Sequence, residues 1–252
     1  MCGIAGLISL DGRALPGLQT LDAMCRTIVH RGPDDQGTFH TDWAAIGMRR
    51  LSIIDVAGGH QPVTSAGGRI QLVFNGEIYN FTELHAELEQ QGRAPAWRGH
   101  SDTETLLAAF EAWGVEQTLK RARGMFALAL WDRQNRTLTL ARDRLGEKPL
   151  YYGWQMQGQQ PAFLFGSELK ALREHPSFAG EVDRSAVCLL LRHNCVPAPY
   201  SIYRGISKLM PGHYLTLTEA DLPALVEQSR DPASVRWTGV PDPYGLDDAR
   251  HF

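Results

Sequence analysis

Apolar residues recur along this chain with two different periods. Ile4 to Leu10 is an almost unbroken apolar run and reads as a buried strand. Leu18, Leu21, Cys25 and Ile28 fall instead at helical spacing and predict a helix from about Gly17 to His30. Short β-like runs follow at AAIGM (44–48), LSIID (51–55) and IQLVF (70–74), the last ending in Asn75-Gly76. Phe81, Leu84 and Leu88 mark a second helix that stops near Gly92. A third begins in SDTETLLAAFEAWG (101–114), with Ser101 and Glu104 at capping-box spacing and Gly114 as its stop. GMFALALW (124–131) and RTLTLAR (136–142), joined by a polar DRQN turn, predict a hairpin. Further strands are expected at PLYYGW, AFLFG and HYLTL, and helices at SELKALREH and over Arg184–His193. Strands interleaved with a few helices predict an α+β domain whose sheets pack face to face. From about Thr218 the pattern weakens into Pro, Gly and Asp, so 1–217 is read as the domain and 218–252 as a linker or tail.

Composition narrows the function classes. The 252 residues are 43% hydrophobic and 21% charged, ordinary for a globular protein, and the net charge of -3 gives no electrostatic case for nucleic acid or an anionic membrane. There is no apolar run of membrane-spanning length and no basic leader before a hydrophobic stretch, so a cytoplasmic protein is expected. The four cysteines form no CxxC pair and the histidines no HExxH, so no metal site is expected. Cys25 and Cys188 read as inert core residues on apolar helix faces, in a reducing compartment.

The candidate chemistry begins at Cys2. One reading makes it a small apolar residue at the start of a strand. The other has Met1 removed, which leaves Cys2 with a thiol and a free α-amine on one residue. An α-amine ordinarily titrates near 7.7–8.0, so it can serve as the base for a thiol nucleophile tethered beside it. An attacked amide would need donors for its oxyanion. The Asn75 side chain and the Gly76 backbone N–H are candidates, although Asn-Gly is also a common hairpin turn. A free amino-acid substrate needs a cation and an anion for its two charged ends. Arg50 can clamp a carboxylate, and Asp102, in the first turn of a helix, can receive an ammonium. Glu77 adds an acid beside Asn75-Gly76.

These residues lie in blocks that carry a resemblance. MCGIAG, HRGPDD (30–35), RRLSIID (49–55), VFNGEIYN (73–80), HSDTE (100–104), RGMFALALWD (123–132), LARDRLGEKPLYY (140–152) and SELKAL (167–172) resemble, in order, the glutaminase domain of glutamine-hydrolysing asparagine synthetases. These are class II glutamine amidotransferases. The resemblance implies the N-terminal nucleophile (Ntn) hydrolase fold, a four-layer αββα sandwich of antiparallel sheets. It implies Cys2 as nucleophile with its own amine as base, and Asn75 and Gly76 as the oxyanion hole. Arg50 and Asp102 would grip the α-carboxylate and α-ammonium of L-glutamine, with Leu51, Ser52, Ile53, Ile54 and Glu77 lining the site. No metal or cofactor is expected in this domain. ATP and magnesium belong to a synthetase domain whose SGGxDS loop is not in this chain; the nearest string, SAGGRI (65–70), lacks its aspartate. The expected partners are glutamine and a synthetase domain or subunit that takes the ammonia, with a homodimer left open. The acceptor is expected to be aspartate; relatives that amidate polysaccharide sugar acids are an alternative. So are a non-catalytic, glutamine-binding regulatory domain and a cysteine hydrolase of acylated amides with an apolar pocket.

Overall fold

Alternation along the strands decides which side chains meet between two sheets and which meet the helices outside. The computed structural model describes residues 1–9, 15, 17–53, 55, 56, 58–157 and 160–218; Leu10, Ile54 and the tail beyond Thr218 lie outside them. The first sheet contains β1 (Gly3–Ser9), β2 (Asp35–His40), β3 (Ala44–Arg50), β8 (Tyr151–Gln157), β9 (Gln160–Gly166) and β10 (Ile206–Lys208). Its order is β10-β8-β9-β1-β3-β2, so the N-terminal strand is central. The second sheet is β11-β7-β6-β5-β4, made of β4 (Val63–Thr64), β5 (Ile70–Ile78), β6 (Gly124–Asp132), β7 (Thr137–Arg142) and β11 (Tyr214–Leu217). Every described strand pair is antiparallel.

Ile4, Ile8, Ile46, Met48, Val73, Ala127, Ala129 and Phe163 fill the space between the sheets. The alternate residues face outward. Ala5, Leu7 and Ala45 pack against α1 (Leu18–Thr27) and α4 (Leu169–Leu172). Leu72, Phe74 and Ile78 pack against α3 (Asp102–Arg121), with α2 (Phe81–Gln90) alongside α3. Helices outside two face-to-face sheets give the expected four layers. Each fully buried Leu, Ile or Phe contributes about 1.5–3 kcal/mol relative to exposure.

Several expectations needed correction. The described residues of LSIID form no strand: after Arg50 the chain turns away, with Asp55 at a left-handed φ of 49° and Ile53 74% exposed. Gly114 does break the helical path (φ 78°), yet the helix resumes to Arg121, because Leu119 and Ala122 bury against the second sheet. Ser101 caps the Glu104 N–H at 3.1 Å, but the Glu104 carboxylate takes the Arg98 and Gly99 N–H groups, so the reciprocal half of the capping box is absent. Cys25 is fully buried, and burial pushes its thiol up to about 12. Cys188 is exposed, because α5 (Arg184–His193) buries only Ala186. The short β4 and β10 and the polar β2 were not apparent from the hydrophobic pattern.

Candidate active site

The inward-facing rows of three strands end in polar residues. On β1 the row Ile8, Ile4 runs out at Cys2, which is half-buried and packs against the inter-sheet cluster. On β3 the row Ile46, Met48 ends at Arg50, which is buried. The β1–β3 register pairs Gly3 with Arg49, so one step further sets Cys2 opposite Arg50. On β5, Val73 is followed on the same face by Asn75 and Glu77. The predicted nucleophile, guanidinium and amide thus occupy the polar end of one apolar space.

Hydrogen bonds tie these strand ends to the loops around them. Cys2 Sγ accepts from the Leu51 N–H at 3.4 Å and donates to the Leu51 carbonyl at 3.6 Å. Ser52 N–H donates to the Asp34 carboxylate at 2.8 Å. Arg50 donates to the Asp55 and Val56 carbonyls at 2.8 and 3.1 Å. The Asp55 carboxylate then accepts from Gly58 and His100, and those N–H donors hold its carboxyl below the usual range. The loop that follows Arg50 is thereby fastened two residues ahead of Asp102. Ile53 lies exposed beside it, and Ile54 falls outside the described residues.

Asn75-Gly76 is not a turn. It sits inside β5, which continues to Ile78, and Asn75 and Gly76 pair with Ala127 and Phe126 of β6. A Cβ on Gly76 would stand 2.2 Å from the Met125 carbonyl oxygen, so this close approach of backbones requires glycine. Peptide groups alternate along a strand, and those of Phe74, Gly76 and Ile78 point away from β6. Phe74 N–H donates to the Gln61 side chain at 2.7 Å, while Gln61 donates back to the Phe74 carbonyl at 3.1 Å. Ile78 N–H donates to the Asp102 carboxylate at 2.9 Å. The Gly76 N–H lies between these two, directed at the open edge of the sheet. Beside it the Asn75 Nδ2 is buried without a hydrogen-bond partner, a condition that ordinarily costs about 1–3 kcal/mol.

Asp102 is nearly buried at the head of α3. Burial pushes its carboxyl above the usual aspartate range, against the pull of hydrogen bonds from Ile78 and Thr103; the charge of Glu77 adds to the rise. At the other end, Met1 is 59% exposed and its thioether accepts from the buried Lys148 ammonium at 3.5 Å. Sequence reasoning gave no role to Gln61, Asp34, Asp55 or Arg31. HRGPDD and RRLSIID mark three of them as blocks, but nothing in spacing shows a glutamine side chain completing a strand edge.

Two antiparallel sheets between helical layers, with the first strand central and its leading residue at a polar pocket, define an Ntn-type sandwich. The glutamine phosphoribosylpyrophosphate amidotransferase of B. subtilis, solved with ADP and GMP, shares this fold at a TM-score of 0.61 and 18% identity, over 87% of this chain and 48% of that one. Residues 1–227 match the family described as the glutamine amidotransferase domain, and the chain belongs to that family of enzymes. It is 36% identical to asparagine synthetase [glutamine-hydrolyzing] 3 of Bacillus subtilis (strain 168), over 88% of this chain and 36% of the relative. Asparagine synthetase [glutamine-hydrolyzing] 1 of the same organism is 37% identical, over 86% of this chain and 33% of its own. The chain therefore spans about a third of the length of these relatives. Among the described residues no helix is long and apolar enough to cross a membrane.

Proposed function

We propose that this domain hydrolyses L-glutamine through a Cys2 thioester once Met1 has been removed. The observation that carries the reading is the buried Asn75 amide, whose Nδ2 has no hydrogen-bond partner, beside the edge-facing Gly76 N–H of β5, on the inter-sheet space that Cys2 enters. A buried donor with nothing to bond is costly in a resting protein and useful to a charge that exists only in a transition state.

The chemistry follows from the groups at that end. Met1 is exposed to an aminopeptidase, and its loss converts an amide nitrogen into a basic amine. That amine takes the Cys2 thiol proton as sulfur attacks the glutamine side-chain carbonyl. Asn75 and Gly76 hold the oxyanion; the protonated amine then delivers its proton to the departing nitrogen. Ammonia leaves and a γ-glutamyl thioester remains. Water, deprotonated by the same amine, cleaves the thioester to glutamate and free Cys2. Arg50 receives the substrate α-carboxylate and Asp102 its α-ammonium, with Leu51, Ser52 and Glu77 beside them. The ionic Arg50 and Asp102 suit a zwitterion and disfavour an apolar acyl chain. The test uses Met1-free protein: glutamate is released from glutamine, and Cys2→Ala abolishes the release. Unchanged turnover in that variant would remove the mechanism.

The ammonia serves an ATP-dependent amidation, and the names of the relatives support aspartate as the acceptor. The string nearest to a phosphate loop, Ser65–Ile70, closes as a turn in which the Gly68 N–H bonds the Ser65 carbonyl and the Ile70 N–H donates to the Ser65 hydroxyl. The acceptor reaction is assigned to a synthetase domain or subunit. Amide-labelled glutamine, supplied with aspartate, ATP and that partner, should yield labelled asparagine; label in free ammonia alone would overturn the assignment.

A further inference from the structure

Once Met1 is gone, Cys2 is a chain end. No preceding peptide holds it, so the direction of its thiol and amine depends on the Leu51 contacts of its sulfur and on how firmly its own carbonyl is fixed. Arg31 Nε donates to the Cys2 carbonyl oxygen at 2.9 Å. The Arg31 stem reaches that oxygen across Gly3, where an added Cβ would stand 3.1 Å from Arg31 Cδ. The Arg31 side chain is only 9% exposed, and its Nη2 is buried without a partner. Solvent therefore does little to hold this guanidinium in place. One carboxylate does: Arg31 Nη1 donates to Glu168 Oε1 at 2.9 Å.

Glu168 is itself strongly placed. The same Oε1 meets His30 Nε2 at 2.9 Å, and Lys170 Nζ lies 3.1 Å from Oε2. Burial pushes its carboxyl up, but the hydrogen bonds from Arg31, His30 and Lys170 outweigh this and bring it down to about 2. The residue before it, Ser167, brackets Ile4. Its N–H donates to the Ile4 carbonyl at 2.9 Å, and its hydroxyl accepts from the Ile4 N–H at 3.0 Å. Two adjacent residues between β9 and α4 thus restrain the opening of β1 at successive points, Ile4 directly and Cys2 through Arg31.

We propose that Glu168 is a positioning residue for the Cys2 nucleophile, acting through Arg31. The inference rests on the reading of Cys2 as nucleophile and deepens it. Glu168 touches neither the substrate nor the sulfur. Its carboxylate fixes the guanidinium, the guanidinium fixes the Cys2–Gly3 peptide plane, and the plane sets where thiol and amine stand relative to Asn75 and Gly76. The substrate grips are elsewhere, so the effect falls on the chemical step.

The experiment compares Met1-free wild type, Glu168→Gln, Arg31→Lys and the double variant in steady-state glutamine hydrolysis, with melting temperatures as a check. A misplacement of about 1 Å costs roughly 10²-fold in rate, and a loosened plane should cost part of that. Glu168→Gln is expected to lower kcat about 10-fold while KM for glutamine stays within twofold. In the Arg31→Lys background the same change should cost less than twofold, because the route through Arg31 is already broken. Full kcat in Glu168→Gln, an equal change in KM, or losses that multiply in the double variant would overturn the inference. If Glu168→Gln does not fold, Glu168→Asp, with its carboxylate drawn back by one methylene, carries the same readout. Wild type that fails to hydrolyse glutamine overturns the underlying reading; active wild type with an unaffected Glu168→Gln overturns only the positioning role.

Discussion

Replacing Asn75 with alanine should separate activity from stability, with opposite signs. The side chain is 1% exposed and its Nδ2 has no partner, so the folded protein carries a desolvated donor worth about 1–3 kcal/mol of lost stability. Truncation removes that penalty. It also leaves a gap of about 25 Å³, which at ~24 cal/mol per Å³ costs about 0.6 kcal/mol. The balance favours the variant, and at ~2–4 °C per kcal/mol the melting temperature should hold or rise by a few degrees. Activity should go the other way. Losing one oxyanion donor lowers kcat by about 10²–10³. KM should stay near its starting value, because the bond is made only in the transition state. Calorimetric melting and glutamate release, both on Met1-free protein, read the two effects. A fall in melting temperature of 5 °C or more would show that Nδ2 is satisfied in the native state. Retention of kcat would show that it faces no oxyanion.

Other consequences can be checked in the same preparation. Gly76→Ala should reduce soluble yield and activity together, because the new methyl meets the Met125 carbonyl at 2.2 Å and β5 must part from β6 to admit it; wild-type yield and melting would refute the close approach. Binding of glutamine to Cys2→Ala, followed by titration calorimetry, should weaken on acidification from a higher pH than an ordinary aspartate near 3.9 dictates. The reason is that burial raises the Asp102 carboxyl, and only its ionised form receives an ammonium; the Asp102→Asn variant should lose this dependence. Iodoacetamide at neutral pH should label the exposed Cys188 and Cys195 and spare Cys25, whose thiol is held up to about 12. Peptide mapping that finds Cys25 modified first would contradict the packing of α1 on the first sheet.

The sequence revealed most where period and burial agree. β1, β6 and β7 lie where their patterns predict, because each presents an apolar row that has only one place to go, whereas α5 lies where its pattern puts it and still buries only Ala186. It misled where an apolar run stays out of the core. LSIID reads as a short β-like run, yet Asp34, Asp55 and the Cys2 sulfur take up its neighbourhood's polar groups and Ile53 faces solvent. Asn75-Gly76 has the composition of a turn, but β6 on one edge and Gln61 and Asp102 on the other keep it extended. Residue types at Cys2, Arg50, Asn75 and Asp102 suggested the chemistry, and the blocks around them made the case. The placing of Cys2, Arg50 and Asn75 on one inter-sheet face was not legible, since it comes from the register of β1 against β3 and the packing of both on β5. The Arg31–Glu168 link spans 137 positions and has no local signature.

One half of the donor pair on β5 belongs to the main chain. Among side-chain replacements only proline deletes the Gly76 N–H itself, and any other residue there meets the Met125 carbonyl, so the backbone half of the proposed cradle is guarded by packing as well as by chemistry. The rate that survives in Asn75→Ala therefore reports what remains when the amide donor is gone, with the Gly76 N–H and every other catalytic contribution included. Exchanging the Gly76 amide for an ester by semisynthesis would reach the remaining half, and the two changes made singly and together would show how far scaffold and side chain act as one unit.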